Sequence, residues 1–245
     1  MTIDWLAADW PAPDGIVAGC TTRGGGVSDD RFASLNLGTH VGDSVEHVFE
    51  NRRRFVSSCN LPAEPLWLEQ VHGTTVAVEP ESGSPVKADA ILTRKVDTVC
   101  AVMTADCLPV LMVSPTGDEI AATHAGWRGL CNGVLENTVR EFRAPAGSIL
   151  AWLGPAISQK HFEVGDEVRQ AFVSPDNQAT DHFVVNDSGR WQADLYGLAR
   201  LRLAEAGVRN IYGGDVCTYD DAGRFFSYRR DGQCGRMASF VFRYS

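Results

Sequence analysis

The chain of 245 residues is 44% hydrophobic and 22% charged, the balance of an ordinary globular protein with a sizeable core. No apolar run reaches the roughly 18 residues that a membrane helix needs, and the opening Met-Thr-Ile-Asp-Trp lacks the basic and apolar regions of a signal peptide. A net charge of −9 argues against a general binder of nucleic acid or membrane surfaces, while leaving room for a local basic patch that holds a small anion.

In chain order, strand patterns occupy residues 16–22, 66–70, 75–78, 99–103, 109–113, 120–123, 149–153, 183–185, 210–212, 225–228 and 239–242. Helical patterns occupy 44–58, 127–142, 164–173 and 193–206, the first of them opened by Asp43 and Glu46 as a variant capping box. Several strands are joined by short turns, and helices do not alternate with them regularly. A doubly wound parallel sheet is therefore not expected. The reading is α+β: one domain over residues 1–245, with mixed β-sheets flanked by helices. The seven cysteines are odd in number and scattered, with no Cys-x-x-Cys pair, as befits reduced thiols of a cytoplasmic protein.

The stretch Ala-Asp-Cys-Leu-Pro-Val-Leu-Met-Val-Ser-Pro-Thr-Gly-Asp-Glu-Ile-Ala-Ala-Thr-His, residues 105–124, reads as a buried hairpin around a Ser-Pro-Thr-Gly-Asp-Glu turn. Its polar groups sit at one end: Asp106 and Cys107 before the first strand, His124 after the second. Antiparallel pairing brings those ends together. Thiolate and imidazole are both zinc ligands, and an open catalytic site takes three protein ligands and leaves a fourth position free. Of the remaining histidines, His47 reads as a solvated helix residue and His182 as a surface residue at a strand start, and His161 lies beside Glu163. His72, in Trp-Leu-Glu-Gln-Val-His-Gly, ends a strand at a glycine turn and is the chosen third ligand. His40, in Asn-Leu-Gly-Thr-His-Val-Gly-Asp, has a similar setting and is assigned to substrate binding.

Two other readings of Cys107 stay open. It is either a buried inert thiol, a role that the neighbouring Asp106 weakens, or a nucleophile paired with His124 as in cysteine hydrolases. A closed metal-storage site and a purely interacting protein are minor alternatives. Arg23 opens onto the turn Gly24-Gly25-Gly26, whose amides can form an anion-binding concavity. The segment Phe-Phe-Ser-Tyr-Arg-Arg adds Arg229, placed by strand alternation on the same face as Ser227. Both arginines are assigned to phosphate or carboxylate binding.

The successive motifs Thr-Thr-Arg-Gly-Gly-Gly-Val-Ser, Ser-Leu-Asn-Leu-Gly-Thr-His-Val-Gly-Asp, Trp-Leu-Glu-Gln-Val-His-Gly, Ala-Asp-Ala, Val-Met-Thr-Ala-Asp-Cys-Leu-Pro-Val, Ala-Ala-Thr-His-Ala-Gly-Trp-Arg-Gly, Leu-Gly-Pro-Ala-Ile-Ser, Phe-Glu-Val-Gly-Asp-Glu-Val and Ser-Tyr-Arg-Arg-Asp-Gly-Gln-Cys-Gly-Arg span nearly the whole chain. In that order they resemble the laccase-domain family, whose members are also described as bacterial purine nucleoside phosphorylases and peptidoglycan editing factors. The resemblance implies one zinc held by His72, Cys107 and His124. It also implies phosphorolysis of adenosine, inosine, guanosine and methylthioadenosine, with adenosine deamination at the same site. In that chemistry Asp106 is the expected proton carrier, and the partners are a purine nucleoside and phosphate. The editing role implies amide hydrolysis of a cell-wall precursor instead. The older polyphenol-oxidase label fits poorly, because a blue-copper site plus a trinuclear cluster needs more histidines than the six present. Copper enters only as a substitute for zinc, with weak oxidation as a side activity.

Overall fold

The computed structural model describes residues 3–81 and 85–244. The expected hairpin is the spine of a six-stranded sheet. Leu108–Val113 pairs antiparallel with Ile120–Ala125, with Leu108 opposite Ala125 and Pro109 opposite His124. Both strands are buried along their whole length, so each face of the sheet needs its own cover. Side chains divide by alternation: Leu108, Val110 and Met112 enter one apolar cluster, while Leu111 and Val113 enter another. The full sheet runs Asn210–Gly213, Leu150–Leu153, Leu108–Val113, Ile120–Ala125, Ala90–Thr93, Val76–Val78, its two outermost pairs parallel.

One face of this sheet is covered by helices Val134–Glu141, Asp166–Val173 and Leu195–Glu205, which contribute Leu135, Phe172 and Leu198 to the first cluster. The other face is covered by an antiparallel sheet ordered Trp5–Ala7, Ile16–Thr21, Met237–Arg243, Cys100–Thr104. Period-two alternation in Met237–Arg243 serves both of its faces. Met237 and Val241 pack between the sheets; Phe240 and Phe242 point outward, towards helix Val45–Ser58. There Phe55 meets Phe240 edge to face, with ring centroids 5.1 Å apart. The architecture is thus α+β in four layers, helix–sheet–sheet–helix. No helix among the described residues is long and apolar enough to cross a membrane.

Several local expectations need correction. The helix expected over residues 127–142 is two helices, Trp127–Asn132 and Val134–Glu141, because the chain turns at Gly133 with φ 97°. The strand expected at 225–228 does not form. Phe225 and Phe226 are buried in a loop, and Ser227 caps the short helix Tyr228–Asp231 by accepting from the Arg230 amide. Val164 and Ala193 belong to short strands, Glu163–Val164 and Trp191–Ala193, so the following helices begin at Asp166 and Leu195. The first helix is capped by Ser44, whose hydroxyl accepts from the His47 amide; Asp43 instead ties Ser28 and Asn36 together. Trp5–Ala7, Val86–Lys87 and Ala90–Thr93 are strands that periodicity did not reveal. The last is buried on both faces and only four residues long, so it shows no polar alternation.

Phe240 is fully buried between Trp5, Phe55 and Phe242, and Phe240→Ala leaves a cavity that rigid sheets cannot close. The expected cost is about 3–5 kcal/mol, read as a lower urea midpoint at unchanged slope. A loss below about 1 kcal/mol would contradict this packing.

Candidate metal centre

His124 shares its strand face with Ile120 and Ala122, which belong to the cluster between the two sheets, so its ring enters the inter-sheet space at the end of the strand. His72 arrives from the turn after Leu68–Glu69, with φ 59°. Cys107 immediately precedes its strand, after Asp106 at φ 88°. One ligand atom from each of His72, Cys107 and His124 lies within 4.8 Å of the other two. The Cys107 Sγ is 3.9 Å from Nε2 of His72, and the two imidazole rings meet edge to face with centroids 4.8 Å apart. A side chain at Gly126 would fill the space they share: a Cβ there would lie 2.8 Å from His72 Cδ2 and 3.2 Å from the Cys107 sulfur. Glycine keeps the centre of the tripod clear.

Asp89, within the Ala-Asp-Ala motif, organises the group. Its fully buried carboxylate accepts from the amides of Val71 (3.2 Å), His72 (2.9 Å) and Gly73 (2.6 Å), and meets Nδ1 of His124 at 2.8 Å. Burial alone would raise the Asp89 pKa, but the His124 imidazole and the amides outweigh it and hold the carboxyl below its ordinary value. Burial likewise would raise the Cys107 thiol, yet the two imidazoles lower it, His124 foremost. His124 shifts the other way: the Cys107 sulfur and Asp89 overcome burial and favour its protonated form. The two shifts share one cause, the attraction between the sulfur and the imidazole beside it.

Asp106, the expected proton carrier, also lines the cavity around the tripod. Its carboxylate is buried and accepts from Thr218 Oγ1 (2.6 Å), Ser227 Oγ (3.0 Å) and the Arg229 amide (2.7 Å). It pins the turn carrying Cys107 to two distant loops.

The tripod stands in a cavity of about 450 Å³. Trp127, Phe162 and Tyr228 give it aromatic walls; His40, Arg128, Arg229 and Arg236 line it as well. Partial withdrawal from water, with Arg236 and Arg52 nearby, holds His40 below its ordinary pKa. Arg229 does reach the cavity, but from a helix rather than a strand, and its guanidinium donates to the carbonyls of His161 and Glu163. Arg23 is not among the lining residues. It donates to the carbonyls of Ala33 and Ala222 and lies 4.7 Å over the Phe226 ring. In the glycine turn beside it, the amides of Gly24, Gly26 and Val27 donate to Thr22, Ser34 and Asn51. The cation that sequence reasoning passed over is Arg128, exposed and stacked 4.5 Å from the Trp127 ring. Its position directly after the metal-ligand motif was the available signal.

A sequence model described as multi-copper polyphenol oxidoreductase laccase matches residues 17–244. The Escherichia coli protein named purine nucleoside phosphorylase YfiH is 53% identical over 237 residues, covering 96% of this chain and 97% of that one. The crystal structure of Neisseria meningitidis protein NMB0706 agrees with a TM-score of 0.94 at 48% identity, over 98% of this chain and 99% of that chain. That of YlmD from Geobacillus stearothermophilus gives 0.90 at 32% identity, over 98% and 96%. With its fold and nearly its whole length matched, the chain belongs to the multi-copper polyphenol oxidoreductase laccase family.

Proposed function

We propose that this protein is a zinc-dependent purine nucleoside phosphorylase. It splits adenosine, inosine, guanosine or methylthioadenosine with inorganic phosphate, and deaminates adenosine in the same cavity. The observation that carries the reading is the tripod of His72, Cys107 and His124 inside an aromatic cavity lined by arginines, in a chain whose relatives bear the name purine nucleoside phosphorylase. Tetrahedral zinc with ordinary bond lengths separates a sulfur and a nitrogen ligand by about 3.6 Å, and the 3.9 Å between Cys107 and His72 supports that donor set. When bound, such an ion supplies a Lewis acid and a water that ionises near neutral pH, which is the chemistry purine deamination requires.

The chain's own groups supply the rest. Asp89 accepts from Nδ1 of His124, so the other ring nitrogen is the one left for the metal. Trp127, Phe162 and Tyr228 offer faces and edges for a purine ring. Arg128 and Arg236 offer planar forks for phosphate, with Arg229 as a buttress whose fork is turned to the loop at His161. In phosphorolysis a phosphate oxygen bonds to the ribose anomeric carbon as the glycosidic bond breaks, and its electron pair leaves with the purine.

Cys107, His124 and Asp89 also stand in the order nucleophile, base, orienter. A second imidazole on the same sulfur favours the metal reading, because a nucleophile needs only one base. The relatives' names favour nucleoside chemistry over hydrolysis of a cell-wall precursor.

The test is base release from inosine by zinc-loaded protein, with and without phosphate. Release should require phosphate, stop on chelation and be lost in Cys107→Ser. Cleavage that persists without metal would overturn the reading. For the arginines, Arg128→Lys should raise the KM for phosphate about tenfold, the loss of one charge-assisted contact. Arg23→Lys should leave that KM unchanged, since its guanidinium bonds Ala33 and Ala222 outside the cavity lining. Equal effects of the two substitutions would return phosphate binding to the glycine turn.

A further inference from the structure

A second group of metal-binding side chains lies outside the cavity and shares no residue with the tripod. One ligand atom from each of His161, Cys217 and Asp220 lies within 4.8 Å of the other two. We propose that these three residues bind a second divalent cation of the zinc class.

Topology brings them together. Leu150–Leu153 and Asn210–Gly213 are parallel neighbours in the large sheet, so the chain leaves both strands at the same sheet edge. The two segments that follow stay side by side: Ala156 bridges to Cys217, and the Thr218 amide donates to the Ala156 carbonyl at 3.0 Å. The first segment carries His161 and the second carries Cys217 and Asp220. The geometry is held from several sides. His161 stacks flat on Tyr219, with centroids 4.1 Å apart and planes 13° off parallel, and its Nε2 is 2.7 Å from Asp220 Oδ1. The Ser158 amide donates to the Cys217 sulfur at 3.4 Å, a contact that strengthens when the sulfur is a thiolate.

The donor set selects the metal. One imidazole nitrogen, one thiolate and one carboxylate oxygen suit zinc and its neighbours, whereas magnesium and calcium demand oxygen throughout. Asp215 lines the open groove beside Cys217 and Asp220 and adds negative potential at the entrance, while Asp221 on the same groove is paired with Arg224. Lys160, 3.6 Å from Asp220, is the competing cation, and its side chain is 74% exposed and free to swing into water.

Such a cation would clamp the wall of the nucleoside cavity from behind. The His161 and Glu163 carbonyls accept from Arg229, and Phe162 lines the cavity between them. On the other segment, the Thr218 and Tyr219 carbonyls accept from Arg230. A cation between the two segments therefore ties together the backbone that positions both arginines.

The experiment titrates the full-length Cys107→Ser variant with Co²⁺, which removes the thiolate from the tripod and leaves Cys217 in place. The expected result is one equivalent bound with a thiolate-to-cobalt charge-transfer band in the near ultraviolet. The band should vanish when Cys217→Ser is added. It should need about tenfold more Co²⁺ in Cys107→Ser with Asp220→Ala, a substitution at a half-exposed side chain that spares the fold. Absence of the band in Cys107→Ser, or its survival in the variant lacking both thiols, would overturn the proposal. Because the readout is metal binding at a chain already stripped of Cys107, it does not depend on nucleoside chemistry.

Discussion

One buried carboxylate sets the geometry of this centre. Asp89 collects three consecutive amides from residues 71–73 and the Nδ1 of His124, and its own backbone carbonyl accepts from the His124 amide at 2.7 Å. Two of the three tripod residues are therefore fixed to the same side chain. A fully buried carboxylate is tolerable only with such a complement of donors, since an unpaired one would forfeit several kcal/mol of solvation. The same bonds that stabilise Asp89 leave His72 and His124 with little freedom, and they set the tautomer of His124. The third residue, Cys107, is placed by the neighbouring carboxylate of Asp106, which gathers Thr218, Ser227 and Arg229. Each carboxylate converts a turn into a rigid mount.

The layers explain why polar chemistry sits at the end of so apolar a hairpin. Between two sheets, the mid-strand positions can hold only side chains such as Leu111, Val113 and Ala122. Polar groups become affordable where the strands run out and a cavity admits water. The family name speaks of several copper ions, yet His40, His72 and His124 are the only histidines lining the cavity among the described residues. His47 lies on the first helix, His161 faces Asp220 and His182 faces Asp194. The arrangement suits one ion at the tripod, and it does not gather the imidazoles of a copper cluster.

Much of this was legible in the sequence because it depends on local order. The hairpin follows from two apolar runs and a turn, and its register alone makes Cys107 and His124 neighbours. His72 could be chosen from its place at a glycine turn. Asp89 could not be assigned, although its motif was visible, because its partners are backbone amides 16–18 residues away, and no side-chain pattern marks which amides a carboxylate will collect. The surroundings of Arg23 and Arg229 were hidden for a related reason. Arg23 beside three glycines has the composition of an anion site, but its guanidinium bonds the carbonyls of Ala33 and Ala222, and side chains of Thr22, Ser34 and Asn51 accept from the amides of Gly24, Gly26 and Val27. Residues 225–228 alternate like a strand, yet Ser227 and the Arg229 amide are drawn to Asp106 more than a hundred residues earlier. There, long-range polar bonds overrode local periodicity.

The central claim is that His72, Cys107 and His124 together hold one zinc-class ion. The most direct measurement is anomalous diffraction at the zinc edge from crystals of the zinc-loaded protein. The account places a peak about 2.3 Å from the Cys107 sulfur and about 2.0–2.1 Å from one nitrogen of each imidazole. A fully loaded crystal with no anomalous density among those three side chains would contradict it.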